Sequence, residues 1–444
     1  MRGNLIVCAS LALGLFARAS HAQDASVLPS DAAVAASSAP DAAAVSALAP
    51  QRTSGTPVLE GLSAEELEAL RPIARRGIAM IVRDIDSGVR ARITVLVRAR
   101  APMATVHQVI TRVEDYAQIM DGVQGLEVTS RAANRVAFRF GVSLGVFDVQ
   151  TTAMLHVLSP RRVNGTLLQS TLGPGGLRWD LYPDGADTLI AYSTWGDPSQ
   201  GNWFLRTVAR LAPSTIAAMQ VSYDTVLALS AARRAEQLAG LRIPRRPSDR
   251  FIPMGALEAP SAGWVELGRN TVVGAVTMDD RQVMSQSAIA LRVAAPPDAV
   301  FARLRDVRQY ATLWGPVMQR ATIVSEQDGV ARFRSVVEAP VFRTEGEQDR
   351  LVIERDGARA VVWRGVSGDY RNDAQRYDVR SDGAGGSIVV LSGGADANRA
   401  GFVANQLLSR DPWMTPGYAL AWKMVWLAAA APRLAAPAIP SAAR

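Results

Sequence analysis

The chain has 444 residues, a formal net charge of +7, three histidines and a single cysteine. So small a His/Cys set argues against a zinc site, and 48 basic against 41 acidic residues with no basic run leaves no nucleic-acid footprint. Almost every basic residue is arginine, and Lys423 is the only lysine.

Residues 1–22 read as a secretory signal peptide: Arg2, the apolar LIVCASLALGLF, then Ser20-His21-Ala22 as a small-x-small cleavage site. Removal takes Arg2, Arg18 and Cys8 and no acid, lowering the charge from +7 to +5. The expected location is a Gram-negative periplasm or the exterior, with stability resting on core size rather than disulfides. Residues 23–58, rich in Ala, Ser and Pro, lack the apolar residues for a core and read as a disordered tether. Ser63-x-x-Glu66 is a capping-box signature for a helix running to about Arg76.

The next features occur twice. ARITVLVRARAPMATVHQVITRVEDY (91–116) returns as QSAIALRVAAPPDAVFARLRDVRQY (286–310), with an offset of 194 that carries Pro102 to Pro296 and Tyr116 to Tyr310. Each copy predicts a strand, a proline step and a helix. Short alternating segments with turn signals follow, from 124 to 195 and again from ATIVSEQ (321–327) to GSIVVLSG (386–393). Each copy closes on a long apolar helix after Pro213 or Pro412. In the first, Met219, Tyr223, Val226 and Ser230 mark the expected inward stripe. A unit this long is a domain rather than a solenoid repeat. The reading is α+β: domain 1 over 59–239, a Pro/Gly/Arg-rich linker over 240–263 and domain 2 over 264–435.

This order resembles the START-like superfamily (SRPBCC, helix-grip), polyketide cyclase/dehydrase-like, in two tandem copies. The residues that carry the resemblance are 93–128 and 289–324, each with a strand, Ala-Pro and a helix. Asp306–Tyr310 keeps the family's D-x-x-x-Y spacing, whereas in the first copy Asp115 directly precedes Tyr116. The resemblance implies a curved antiparallel sheet wrapped around the C-terminal helix, with the space between them commonly holding a lipid, sterol or polyketide-like ligand. It implies no shared catalytic residue and no cofactor.

The expected pocket wall is apolar: Phe138, Phe140, Phe147, Trp179, Tyr192, Met219 and Tyr223 in copy 1, and Phe333, Phe342, Trp363, Tyr377, Trp422 and Trp426 in copy 2. A solid core of the same residues is the competing expectation. Polar candidates are His107 and His156, which align with Phe301 and Leu351 and so read as wall or core. Two repeated pairs, Arg178/Asp180 and Arg376/Asp378, complete the set. Residues i and i+2 share a strand face, so each pair is either a headgroup clamp or an outward-facing pair, with Trp179 and Tyr377 opposite. No catalytic residue and no metal ligand is assigned. The expected activity is binding or carrying a hydrophobic small molecule, with transient membrane or protein contact. The alternatives are a cyclase/dehydrase-like pocket enzyme and an interaction module with filled cores, whose sign is an exposed aromatic patch at Trp413, Trp422 and Trp426.

Overall fold

The computed structural model describes residues 60–436 except 87–89, 120–122, 144–147, 212, 244–265, 270, 280–283, 316, 340–341, 356–357, 372 and 395–413. The expected signal peptide, the tether to Leu59 and most of the linker lie outside the described residues, as do Phe147 and Trp413.

The first half runs α1 (Ala64–Arg75), β1 (Gly77–Asp86), β2 (Arg90–Ala99), α2 (Met103–Thr111) and the short α3 (Tyr116–Ile119). Six strands follow: β3 (Val123–Ala132), β4 (Arg135–Ser143), β5 (Asp148–Ser159), β6 (Arg162–Ser170), β7 (Gly175–Asp184) and β8 (Asp187–Gly196). It ends in α4 (Trp203–Leu211) and α5 (Pro213–Leu238). The second half repeats the order: β9 (Val272–Met278), β10 (Met284–Val293), α6 (Pro297–Arg305), α7 (Tyr310–Leu313), β11 (Met318–Gln327), β12 (Val330–Ala339), β13 (Phe342–Arg355), β14 (Ala358–Gly368), β15 (Ala374–Ser381), β16 (Ser387–Gly394) and α8 (Thr415–Ala435). Each half is a helix-grip unit, strand pair and helix first, antiparallel meander next, long helix last.

The two half-sheets are continuous. β1 pairs antiparallel with β9, with Ala79 opposite Ala275, giving one sixteen-stranded sheet whose order reads symmetrically outward from that junction. Gly77 permits the junction, since a Cβ there meets the Val276 carbonyl oxygen at 2.1 Å. The helices join as well. α5 and α8 pack side by side on one face of the sheet, and a Cβ on Gly417 meets the Ser222 carbonyl oxygen at 2.6 Å. One apolar core therefore runs through both halves under these helices.

Strand alternation builds a second core on the opposite face. There α1 lays Leu67, Leu70 and Ala74 against Ile81, Leu96 and Leu189 of the first half and Val273, Ala290 and Val390 of the second. The capping box forms as expected, with Ser63 N donating to Glu66 Oε2 at 2.8 Å and Glu66 N to Ser63 Oγ at 3.1 Å. Arg71 and Arg75 both reach Asp184 in the β7–β8 turn and hold its carboxyl below the usual range. α1 is thus a strap across the junction. Burying its two leucines is worth roughly 2 kcal/mol each.

Candidate ligand-binding site

The tyrosine of the repeated signature is a turn lock. Tyr116 Oη donates to the Ile110 carbonyl, and Tyr310 Oη to the Leu304 carbonyl, each at 2.7 Å and each six residues back. This fixes the end of α2 and of α6 and plants one phenol at the same interior position in both halves.

What surrounds that phenol differs. In the second half Tyr310 is 0% exposed, with Trp314, Phe333 and Trp363 at centroid distances of 5.1, 5.3 and 4.8 Å. Tyr377 and Trp426 extend the cluster, Trp426 lying 5.5 Å from Trp314. Trp363 Nε1 donates to Tyr310 Oη at 3.0 Å, and Trp426 Nε1 donates to Tyr377 Oη. Trp426, expected on the apolar wall, is 2% exposed; it faces the interior, so it forms no part of the exposed patch that would mark the interaction-module alternative. Here Phe333, Trp363, Tyr377 and Trp426 form a solid aromatic core. Trp422 stands at its edge, 5.2 Å from Trp426 and partly exposed. Of Phe342 only the backbone is described, opposite Ala339.

The first half is filled by smaller side chains, with Leu177 and Leu155 closing over Gly165, where an added Cβ would meet them at 2.6 and 2.9 Å. Val163 faces Trp179 across β6–β7 as Val361 faces Tyr377 across β14–β15, so two residues further on Gly165 stands where the second half has Trp363. Along the helices, the offset of 199 from Pro213 to Pro412 puts Leu227 at the position of Trp426. Tyr116, Phe140, Met219 and Tyr223 are partly accessible. Burial nevertheless raises the phenols of Tyr116 and Tyr223 far above the ordinary value. These partly accessible side chains between sheet and α5 mark a candidate recess; Tyr418 of the second half shares the combination of a burial-raised phenol and partial accessibility. Phe138 packs edge-on to Tyr116 at 5.9 Å and stacks on Phe140 at 5.6 Å. Trp179 lies 4.1 Å from Tyr192, closing the base.

Sequence reading missed the polar residue in this interior. The most deeply buried stripe of α5 includes Ala217, Val221, Asp224, Ala228, Ala231 and Ala235; of the expected residues Val226 is buried, whereas Met219, Tyr223 and Ser230 are half-buried. Small residues allow the helix to lie close to sheet and neighbour, and the larger Met219 and Tyr223 fall beside the stripe. Asp224 is 2% exposed and accepts from Thr194 Oγ1, which in turn accepts from Gln220 Nε2 at 2.8 Å. Among the described residues no cation pairs with it. Burial pushes its pKa up to about 8, against which the Thr194 hydrogen bond works only partly. At pH 7 it is a neutral acid, able to donate a hydrogen bond. Tyr192, raised by burial, feels both Asp224 and Tyr223.

At the same offset of 199, Asp224 corresponds to Lys423, the only lysine of the chain. Lys423 is 4% exposed, donates to Ser287 Oγ at 2.7 Å, and is pushed down to about 8 by burial. The two halves thus place opposite ionisable groups at one position. The partners interchange too, from β8 (Thr194, opposite Ile93) to β10 (Ser287, opposite Gly393).

The remaining polar candidates lie elsewhere. Arg178 Nε donates to Asp180 Oδ2 at 2.5 Å and Arg162 Nε to Asp180 Oδ1 at 2.9 Å, on the face opposite Trp179, where Gly61 covers the pair. Arg376 Nη2 reaches Asp378 Oδ1 at 2.7 Å on the corresponding face. These pairs are therefore not brought to the recess. His156 Nε2 meets Asn134 Nδ2 at 3.0 Å on the same outer side. His107, on α2, has a buried Nε2 without a partner among the described residues, and burial lowers its pKa. Among the described residues no group of three or more His, Cys, Asp or Glu is placed to hold a metal.

Residues 284–413 match the family model described as polyketide cyclase / dehydrase and lipid transport. No curated protein matches the chain. Among solved structures, the di-domain ARO/CYC StfQ from the steffimycin biosynthetic pathway is 11% identical, covering 77% of this chain and 99% of its own, at a TM-score of 0.27. The Zhui aromatase/cyclase from Streptomyces sp. R1128 is 16% identical over 34% of this chain and 96% of its own, TM-score 0.27. A STAR-related lipid transfer protein from Xanthomonas axonopodis is 17% identical over 39% of this chain and 97% of its own, TM-score 0.28. At these identities and scores they say nothing of what this chain binds.

Proposed function

We propose, for a chain of two START-like helix-grip halves whose second half matches the polyketide cyclase/dehydrase and lipid-transport family, that the first half binds one apolar or amphipathic small molecule between its sheet and α5. The supporting observation is that Tyr116, Phe140, Met219 and Tyr223 keep accessible surface between sheet and α5, in a half where Gly165, beside Leu155 and Leu177, and Leu227 stand in place of the indoles of Trp363 and Trp426. Apolar contact with Phe138, Phe140, Trp179 and Met219 supplies affinity in proportion to buried area. The neutral carboxyl of Asp224 and the phenols of Tyr192 and Tyr223 favour a ligand with one carbonyl or hydroxyl at its inner end, since a buried donor left unpaired is costly. The second half, its interior closed by indoles, serves as the rigid partner that completes the sheet and holds α5 through α8. The segment 1–22 supports a periplasmic setting for this binding.

The test is uptake of a fluorescent fatty-acid or sterol probe by the purified chain. The reading expects one probe per chain, abolished by Leu227→Trp, which restores the indole of the other half. Saturation at two probes, or undiminished uptake by a folded Leu227→Trp variant, counts against it.

A further inference from the structure

Among the described side chains of α4, two face the body. Leu205 and Ala209 pack on Leu172 and Ile216, while Arg206, Thr207 and Arg210 are exposed and Trp203 is 60% exposed, the highest value among the described large hydrophobic side chains. Positions 203, 206, 207 and 210 recur at helical spacing, so an indole and two guanidinium groups share one outward stripe. The helix carries no acidic residue. Among the described residues neither arginine forms a salt bridge; Arg206 Nη1 donates to the Gly201 carbonyl at 2.9 Å, which steadies it at the helix start. α4 is separated from α5 by a single residue, so this stripe stands at the end of the helix that walls the recess.

We propose that this face of α4 docks on an anionic phospholipid surface. An indole is amphipathic and settles at the headgroup level, while arginines beside it gain from the negative surface potential. Charge complementarity decides the occupant: a stripe with two arginines and no carboxylate fits an anionic bilayer. Docking there brings the recess of the first half next to the membrane without any change to its lining.

The experiment is flotation of the full chain with phosphatidylcholine vesicles, with and without phosphatidylglycerol, beside the Trp203→Ala and Arg206→Glu/Arg210→Glu variants. All three share the apolar N-terminal segment, so differences between them report on α4. Flotation with anionic vesicles is expected to fall by at least about fivefold for each arginine reversed, the figure for losing one positive charge, to fall also in Trp203→Ala, and to weaken with salt. Thermal melts and solution uptake of the fluorescent probe should match wild type in both variants, which separates this surface from the ligand site. Equal flotation of all three proteins overturns the proposal. So does wild-type protein that ignores anionic vesicles but is captured by a host protein through Trp203.

Discussion

Replacing Asp224 by Asn removes a titration while keeping a side chain of the same shape. The amide oxygen still accepts from Thr194, and the amide N–H takes the place of the acid proton. In the unfolded chain the carboxyl titrates at its ordinary value of 3.8, whereas burial in the fold pushes it up to about 8. The native state therefore binds the proton more tightly. Stability from this group is complete below the unfolded value and is lost as pH rises toward the folded one. At pH 7 the loss amounts to about 4 kcal/mol, taking about 1.4 kcal/mol per pH unit. Urea unfolding of both proteins between pH 4 and pH 9, followed by tryptophan fluorescence, reads the difference directly. Near pH 4 the two should be equally stable. Above it Asp224→Asn should become progressively the more stable, levelling off past pH 8. A difference that stays constant with pH would show that Asp224 is charged in the fold and refute the reasoning.

Lys423→Met should show the complementary window. The folded amine is pushed down to about 8 from 10.5, so the variant gains most below pH 8, about 3 kcal/mol, and the gain closes toward pH 10.5 in the same urea assay. Trp363→Ala opens a cavity in the aromatic core and should cost about 3–5 kcal/mol. Its probe uptake at saturation should remain at one per chain, whereas Trp179→Ala, at the base of the recess, should weaken uptake at equal or smaller loss of stability. Gly417→Val forces a side chain onto the Ser222 carbonyl and should destabilise by about 1–3 kcal/mol. Hydrogen exchange should then rise along α5 and α8 together, because each is the other's wall.

The fold was legible because it is written twice. The repeated strand, Ala-Pro step and helix, the antiparallel segments and the closing helix recur in the structure in that order, and Ser63 with Glu66 starts α1. The union of the two half-sheets was not legible: β1 and β9 each look like an ordinary first strand, and pairing between half-domains leaves no local pattern. Asp224 and Lys423 escaped notice because one charged residue in a helical period reads as the solvent side. Their alignment at the offset of 199 was available, but only the packing of α5 and α8 on the sheet, with Thr194 and Ser287 as the partners, shows that this side is buried. The contrast between Gly165 and Trp363 requires the strand register, which Val163 and Val361 supply only once the ladders are seen. Arg178/Asp180 shows the converse, since the alternation that put Trp179 inside also put this pair on the other face, under Gly61.

The most direct measurement is native mass spectrometry of the chain purified from its own host, followed by organic extraction and identification of any bound species. One apolar or amphipathic molecule per chain, absent from the Leu227→Trp variant, is the predicted result. Two molecules per chain, or one that survives Leu227→Trp and disappears in Trp363→Ala, would contradict an open first half beside a closed second.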